Sequence, residues 1–342
     1  MRRTNDRRNG RSHRQSGEAV RVCIYGAGAM GSSLGGLLAQ KGVIADLVSR
    51  DRDHVNALNS NGVKFLGAEE KSISVRAIFP EQMVGEYDVI FLATSQRENR
   101  EIAFFLSDYL KKDGALVSVQ NGCPEEGLSL VLGADRVYGC ALSWGAERVS
   151  AGTVRITSTN GYHFALGAFG KGEMLPCVKE LLDGIGRVDV FPLKEIRYAK
   201  LAVNASFSTL STVTGLSFYA LAKKYPKRVF FIIKEVFALA KAEGCKRLPL
   251  NGHDLFKVFK GVFVRVTLPI AMRKYRQTHS GMSKALSKGR RTDVDALTGV
   301  VIEKAKRYGI LTPNLCAVTR LIHDIEDGLA EISPESLQLL DE

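Results

Sequence analysis

Apolar positions along this chain fall into two regimes. From residue 21 to about 137, short apolar runs alternate with helical patterns. Residues 21–25, RVCIY, stop at a glycine, as a buried strand does. GAGAMGSSLGGLLAQKG then carries small and apolar residues at helical spacing and ends at Gly42, a natural C-cap. ADLVS reads as a second strand, which completes one βαβ unit. Further strands are expected at 73–78, 88–93 (DVIFLA) and 115–119 (ALVSV), with a helix over 99–111. This alternation predicts an α/β fold with a doubly wound parallel sheet of the Rossmann type.

Beyond residue 137 the pattern shortens. CALSW, GTVRIT, YHFALG and VDVFPL are brief strands broken by glycines, best placed as antiparallel additions to the sheet edge. From residue 194 nearly everything is helical in period, with helices expected at 194–223, 226–244, 251–262, 291–308 and near 315–330. The chain therefore divides into a basic tail (1–19), a dinucleotide-binding domain (20–193) and an all-helical substrate domain (194–332), with the boundary close to Pro192.

Composition narrows the class. Hydrophobic residues make up 45% and charged residues 25% of 342, as in a globular protein. No uninterrupted apolar window is long enough to span a membrane. The opening MRRTNDRRNGRSHRQSGEA lacks the apolar stretch of a secretory signal and is poor in core-forming residues, so it is expected to be disordered. A transit peptide is the less favoured reading, because no amphipathic stripe accompanies the arginines. Six scattered cysteines, with no C-x-x-C and no Cys/His cluster, give no structural metal site and fit reduced thiols in the cytoplasm. The net charge of +12 is compatible with nucleic acid or with an anionic small molecule, and no recognisable nucleic-acid motif selects the former. The sequence leaves a homodimer open.

The first chemical motif is Gly26-Ala27-Gly28-Ala29-Met30-Gly31, a G-x-G-x-x-G that follows a strand and opens a helix. Gly26 permits the tight turn, Gly28 lets backbone approach a pyrophosphate, and Gly31 lets helix and strand pack closely. The helix N-terminus then faces the phosphates. At the end of the second strand the chain reads LVSRDRDH. Ser49 and Arg50 suit a 2′-phosphate and favour NADPH/NADP+, while Asp51 keeps NAD open.

The second motif is Lys200 and Asn204, four apart on one face of the apolar helix IRYAKLAVNASF. A partly buried lysine has a lowered pKa and can donate a proton to an oxygen gaining negative charge. By spacing alone the pair also fits a snorkelling lysine and a local amide contact. Asn121 in QNG fits an ordinary turn as well as a ligand contact. Asp293 fits a helix-start charge as well as a substrate contact.

The motifs IYGAGAMG, VQNG (119–122), KLAVNA (200–205), and GMSKALSKGRRTDVDALTG followed by GILTPN resemble the ketopantoate reductase (2-dehydropantoate 2-reductase) family over roughly residues 20–330. The resemblance implies a Rossmann domain, a helical domain and an active site in the cleft between them. It implies NADPH-dependent reduction of 2-dehydropantoate to (R)-pantoate, in pantothenate and coenzyme A synthesis. It gives Lys200 the role of catalytic lysine and puts Asn204 one turn later. Asn121 would lie beside cofactor and substrate, and Asp293 would hold the substrate hydroxyl. The chain departs from the family pattern at Ser95, Gln96, Ser208, Gly281, Lys284 and Asp293, which opens the choice of 2-keto acid more than the chemistry. Arg290, Arg291 and Lys284 fit a solvated basic face as well as attraction of a substrate carboxylate. Two rival readings are a reductase of another 2-keto or 2-hydroxy acid and a non-enzymatic NADP-binding regulator.

Overall fold

The computed structural model describes residues 19–67, 70–157, 161–260, 264–287 and 289–340. The basic tail expected over 1–19 lies outside the described residues except for Ala19.

Eight strands form the main sheet: β1 (Val22–Tyr25), β2 (Ala45–Val48), β3 (Arg76–Ile78), β4 (Tyr87–Leu92), β5 (Leu110–Ser118), β6 (Val137–Leu142), β7 (His163–Ala168) and β8 (Arg187–Val190). Their order across the sheet is 3-2-1-4-5-6-7-8. The first six are the six strands of a doubly wound dinucleotide-binding sheet in its usual order. All neighbours pair parallel except β6 and β7. A parallel sheet buries both faces, and successive side chains point to opposite faces. Accordingly, Val22, Ile24, Val89 and Phe91 enter one core, while Cys23, Ile90 and Leu92 enter the other.

Two expectations change here. Residues 73–78 are not one strand. Lys71–Ile73 pairs with Val63–Leu66 in a separate four-stranded sheet, and only Arg76–Ile78 joins the main one. The chain crosses between sheets at Ser74 and Val75, a break that a six-residue apolar pattern does not announce. The GTVRIT segment also leaves the main sheet. Ala146–Ser150 and Thr153–Ile156 form a hairpin that joins the small sheet and packs on the helix Ala29–Gln40, here α1. Of the late strands, only β7 is an antiparallel addition; β8 pairs parallel with β7.

From Leu193 onwards the chain is mainly helical around a third core. The helix expected over 194–223 stops earlier. Leu193–Val203 runs on through a π-helical turn, Asn204–Ser208, to Thr214, where Gly215 at φ +69° ends it. The expected 251–262 helix is a tight hairpin at Asn251-Gly252 followed by the short helix Leu255–Val258. A second π turn, Asp295–Gly299, opens the helix Val300–Arg307 and packs against the first. No helix among the described residues is long and apolar enough to cross a membrane.

Candidate active site

The glycine turn joins β1 to α1 at the C-terminal ends of β1, β4 and β5, where open parallel sheets bind ligands. Each glycine has a separate reason. Gly26 sits at φ +101°, and a Cβ there would meet Thr94, just beyond β4, at 2.7 Å. A Cβ on Gly31 would stand 2.2 Å from the Gly26 carbonyl oxygen. A Cβ on Gly28 would meet nothing within 4 Å, so its freedom is not needed by the protein's own packing. Gly28 fronts two cavities, and the amides of Ala29, Met30 and Gly31 head the helix without intrahelical acceptors. This turn fits a dinucleotide pyrophosphate: open backbone, three amides and the positive end of a helix. Met30 and Gly31 line neither cavity and face the packed interior, so only their amides are available to such a ligand.

The smaller cavity, about 380 Å³, is lined by Gly26, Ala27, Gly28, Ser49, Arg50 and Asp51, among others. Arg50 is exposed and pairs with Glu98 across it at 3.1 Å. Ser49 accepts from the Asp51 amide at 3.2 Å. Asp51 caps the helix Arg52–Asn61 by accepting from the His54 amide, and its other oxygen takes Arg148 at 2.7 Å. These contacts hold its carboxyl below the usual carboxylate range, the cap bond being the largest cause.

The larger cleft, about 1890 Å³, contains Gly28, Ala29, Asn121, Lys200, Asn204 and Asp293 along its walls. It joins the sheet's C-terminal edge to the helical region. Lys200 donates from Nζ to the Leu142 carbonyl oxygen at 2.6 Å. Burial of the ammonium, and then the Arg197 charge one turn earlier, lower its pKa to about 8. Asn204 opens the π turn, where the extra residue swings its side chain toward Asn121; Nδ2 stands 3.4 Å from Asn121 Oδ1. π turns recur at functional sites because they re-aim side chains within a helix. Asn121 is fixed by its neighbours: its carbonyl oxygen accepts from Gln96, and Gly122, at φ +78°, packs where a Cβ would meet the Ala296 carbonyl at 2.3 Å. Asp293 is exposed on the cleft wall just before the second π turn.

The departures from the family pattern have local partners. Gln96 braces Asn121, and Ser95 lines the smaller cavity. Ser208 lines the cleft. Ser280 is buried and caps the helix Gly281–Leu286, accepting from the Met282 amide. His279 faces the Gln277 carbonyl. Arg291 is taken by Glu326 and Asp327, which leaves Arg290 the freer of the two on the cleft wall. The Lys284 side chain lies outside the described residues.

Sequence reasoning missed the buried pair beneath this site. Arg197 and Glu125 are each 3% exposed and joined through Nε at 2.9 Å. Arg197 also donates to the Gln120 carbonyl at 2.7 Å and the Ser118 carbonyl at 2.9 Å, so one guanidinium ties the lysine's helix to the loop carrying Asn121. Gly139 makes the room: a Cβ there would stand 2.6 Å from Glu125 and 2.9 Å from Arg197. Arg197's place three residues before Lys200 was the one available signal. Arg148 was missed too. Among the described residues, no group of three or more His, Cys, Asp or Glu could hold a metal ion.

Residues 22–170 match the family "Ketopantoate reductase PanE/ApbA", and residues 193–326 match its C-terminal counterpart. A 2-dehydropantoate 2-reductase of Pyrococcus abyssi is 25% identical over 299 residues, covering 86% of this chain and 94% of the relative. One from Lactococcus lactis is 23% identical over 319 residues, covering 91% and 99%. Among solved structures, a D-mandelate dehydrogenase with NADH and anilino(oxo)acetate superposes with TM-score 0.77 at 23% identity, covering 91% of this chain and 99% of that one. A ketopantoate reductase family protein from Ralstonia eutropha gives 0.74 at 24%, with the same coverage. At these identities the two structures speak to the fold.

Proposed function

The chain belongs to the ketopantoate reductase family, an oxidoreductase family, and from that we propose that it reduces 2-dehydropantoate to (R)-pantoate with NADPH. In this reading residues 20–193 hold the dinucleotide and 194–332 the acid. The product would serve pantothenate and coenzyme A synthesis in the cytoplasm. The observation that carries the reading is Lys200. An ammonium whose pKa is lowered to about 8 stands in the same cleft as the open glycine turn and Asn121.

When bound, the dinucleotide supplies a hydride to the keto carbon. The chain's own residues do the rest. Gly28 and the first amides of α1 hold the pyrophosphate. Ser49 and Arg50 take the 2′-phosphate, for which Arg50 exchanges its exposed partner Glu98. Lys200 remains mostly protonated at neutral pH, stabilises negative charge on the keto oxygen and gives it a proton. Asn204 and Asn121 orient that oxygen and the nicotinamide edge. Asp293 accepts from the substrate hydroxyl, and Arg290 attracts the carboxylate.

One observation favours a second substrate. Besides the cationic Arg273, Lys274 and Arg276, the cleft is lined by Phe207, Phe218, Phe259 and Met272, and Ser208 stands where the family commonly has asparagine. A 2-keto acid with a larger apolar side chain would fill it. The test is NADPH oxidation, followed by absorbance, with 2-dehydropantoate and a panel of apolar and aromatic 2-keto acids. A kcat/KM highest for 2-dehydropantoate supports the first reading. A clear preference for a bulkier acid supports the second. Dinucleotide binding without turnover of any acid contradicts both.

A further inference from the structure

Three elements far apart in sequence converge beside the glycine turn. The end of β2 brings Ser49, Arg50 and Asp51, the N-terminus of α1 brings Gly28 and Ala29, and the hairpin strand Ala146–Ser150 brings Arg148. Asp51 lies about 20 residues beyond the glycine motif, the place from which an acidic side chain takes both ribose hydroxyls of NAD. It lines the smaller cavity, yet neither of its oxygens is free. Oδ1 accepts from the His54 amide at 3.0 Å, and Oδ2 receives Arg148 at 2.7 Å. The cap is local and would survive a bound nucleotide. The oxygen remaining for a ligand is the one that Arg148 holds.

We infer that Arg148 is a specificity-determining residue: by holding Oδ2 of Asp51 it denies that carboxylate to the unphosphorylated ribose diol and turns the pocket toward a 2′-phosphorylated dinucleotide. The inference rests on the dinucleotide reading above. Two effects act in one direction. A carboxylate already saturated by a guanidinium is a poor acceptor for a hydroxyl pair. Its charge is also neutralised, so it repels a phosphate less. Arg50 next to it then meets the phosphate without an uncompensated neighbour. The contact is not needed to hold the fold. Both side chains are about 40% exposed, and an ion pair at such exposure adds little to stability.

The experiment measures dissociation constants of NADPH and NADH through cofactor fluorescence. It uses the wild-type chain, Arg148→Ala, Arg148→Lys and Asp51→Asn/Arg148→Ala, with circular dichroism melting as the check on folding. The expected result is NADH binding about threefold to fivefold tighter in Arg148→Ala, the worth of the exposed ion pair that NADH no longer has to displace. Arg148→Lys should stay near wild type. The double variant should lose the gain, because the carboxylate being unmasked is gone. NADH affinity unchanged in Arg148→Ala, whatever happens to NADPH, overturns the inference and leaves the dinucleotide reading standing. A gain that persists in the double variant also overturns it. Wild-type protein that binds neither dinucleotide overturns both.

Discussion

The side-chain amide of Asn204 lies 3.4 Å from the side-chain oxygen of Asn121, across 83 residues of sequence. One asparagine comes from a π turn in the helical region, the other from the loop after β5. Lys200 sits one turn before Asn204 on the same helix. The pair meets where the lysine's helix faces the sheet edge, which Arg197 ties from beneath through Glu125, Gln120 and Ser118. Asn204→Ala should lower kcat/KM by roughly tenfold to a hundredfold, the worth of one or two hydrogen bonds at the reacting oxygen. Steady-state kinetics check this, and an unchanged kcat/KM would remove Asn204 from the chemistry.

Gly28 and Gly31 separate binding from folding. Gly28→Ala should leave the melting temperature nearly unchanged, since its Cβ meets nothing within 4 Å, while dinucleotide affinity falls because the methyl occupies the pyrophosphate's approach. Gly31→Ala should destabilise the fold, because its Cβ would be 2.2 Å from the Gly26 carbonyl oxygen. Thermal melts with and without NADPH distinguish the two effects. Equal loss of stability in both variants would contradict the assignment.

Arg197 tunes the lysine as well as bracing the loop. With Lys200 as the acid, reduction should decline as pH rises through about 8, where its proton is lost. Arg197→Met removes a positive charge that lowers the lysine pKa, so the alkaline limb should move to higher pH. It also strands Glu125, a buried carboxylate, at a cost of about 3–5 kcal/mol. Glu125→Gln/Arg197→Met should recover part of that stability. A pH–rate profile measured below the variant's melting point provides the check.

His54 predicts an acid-sensitive fold. It is fully buried: Nδ1 accepts from the Gly152 amide at 3.0 Å, and Nε2 faces the Ser32 hydroxyl at 3.0 Å. Burial, and after it Arg148, lower its pKa from 6.5. The unfolded chain then binds more protons than the folded one below that value. The contribution to stability is complete above about 6.5 and declines as pH falls beneath it. His54→Gln should flatten this part of the stability–pH curve, as denaturant melts across that range would show.

Much of the dinucleotide half was legible because its constraints are local. Gly26, Gly28 and Gly31 answer to a turn, a ligand approach and a helix contact within six residues. The four-residue spacing puts Lys200 and Asn204 on one helix face, but only the family resemblance gave the pair a role. What the sequence hid depends on distant partners. Arg197 meets Glu125 across 72 positions, and Arg148 meets Asp51 across 97. Nothing near either residue in sequence marks the other. The π turn at Asn204 was hidden as well, since an extra residue in a helical turn depends on what packs against it. The split of 73–78 into two sheets has the same origin, because short apolar runs do not say which sheet receives them.

The most direct measurement is NADPH oxidation with 2-dehydropantoate by the wild-type chain and by Lys200→Ala, with NADPH affinity determined for both. The account predicts turnover in the wild type, a kcat lower by about 10²–10⁴-fold in the variant, and NADPH binding retained. A variant that binds NADPH and turns over at the wild-type rate would contradict the role of Lys200 and, with it, the proposed mechanism.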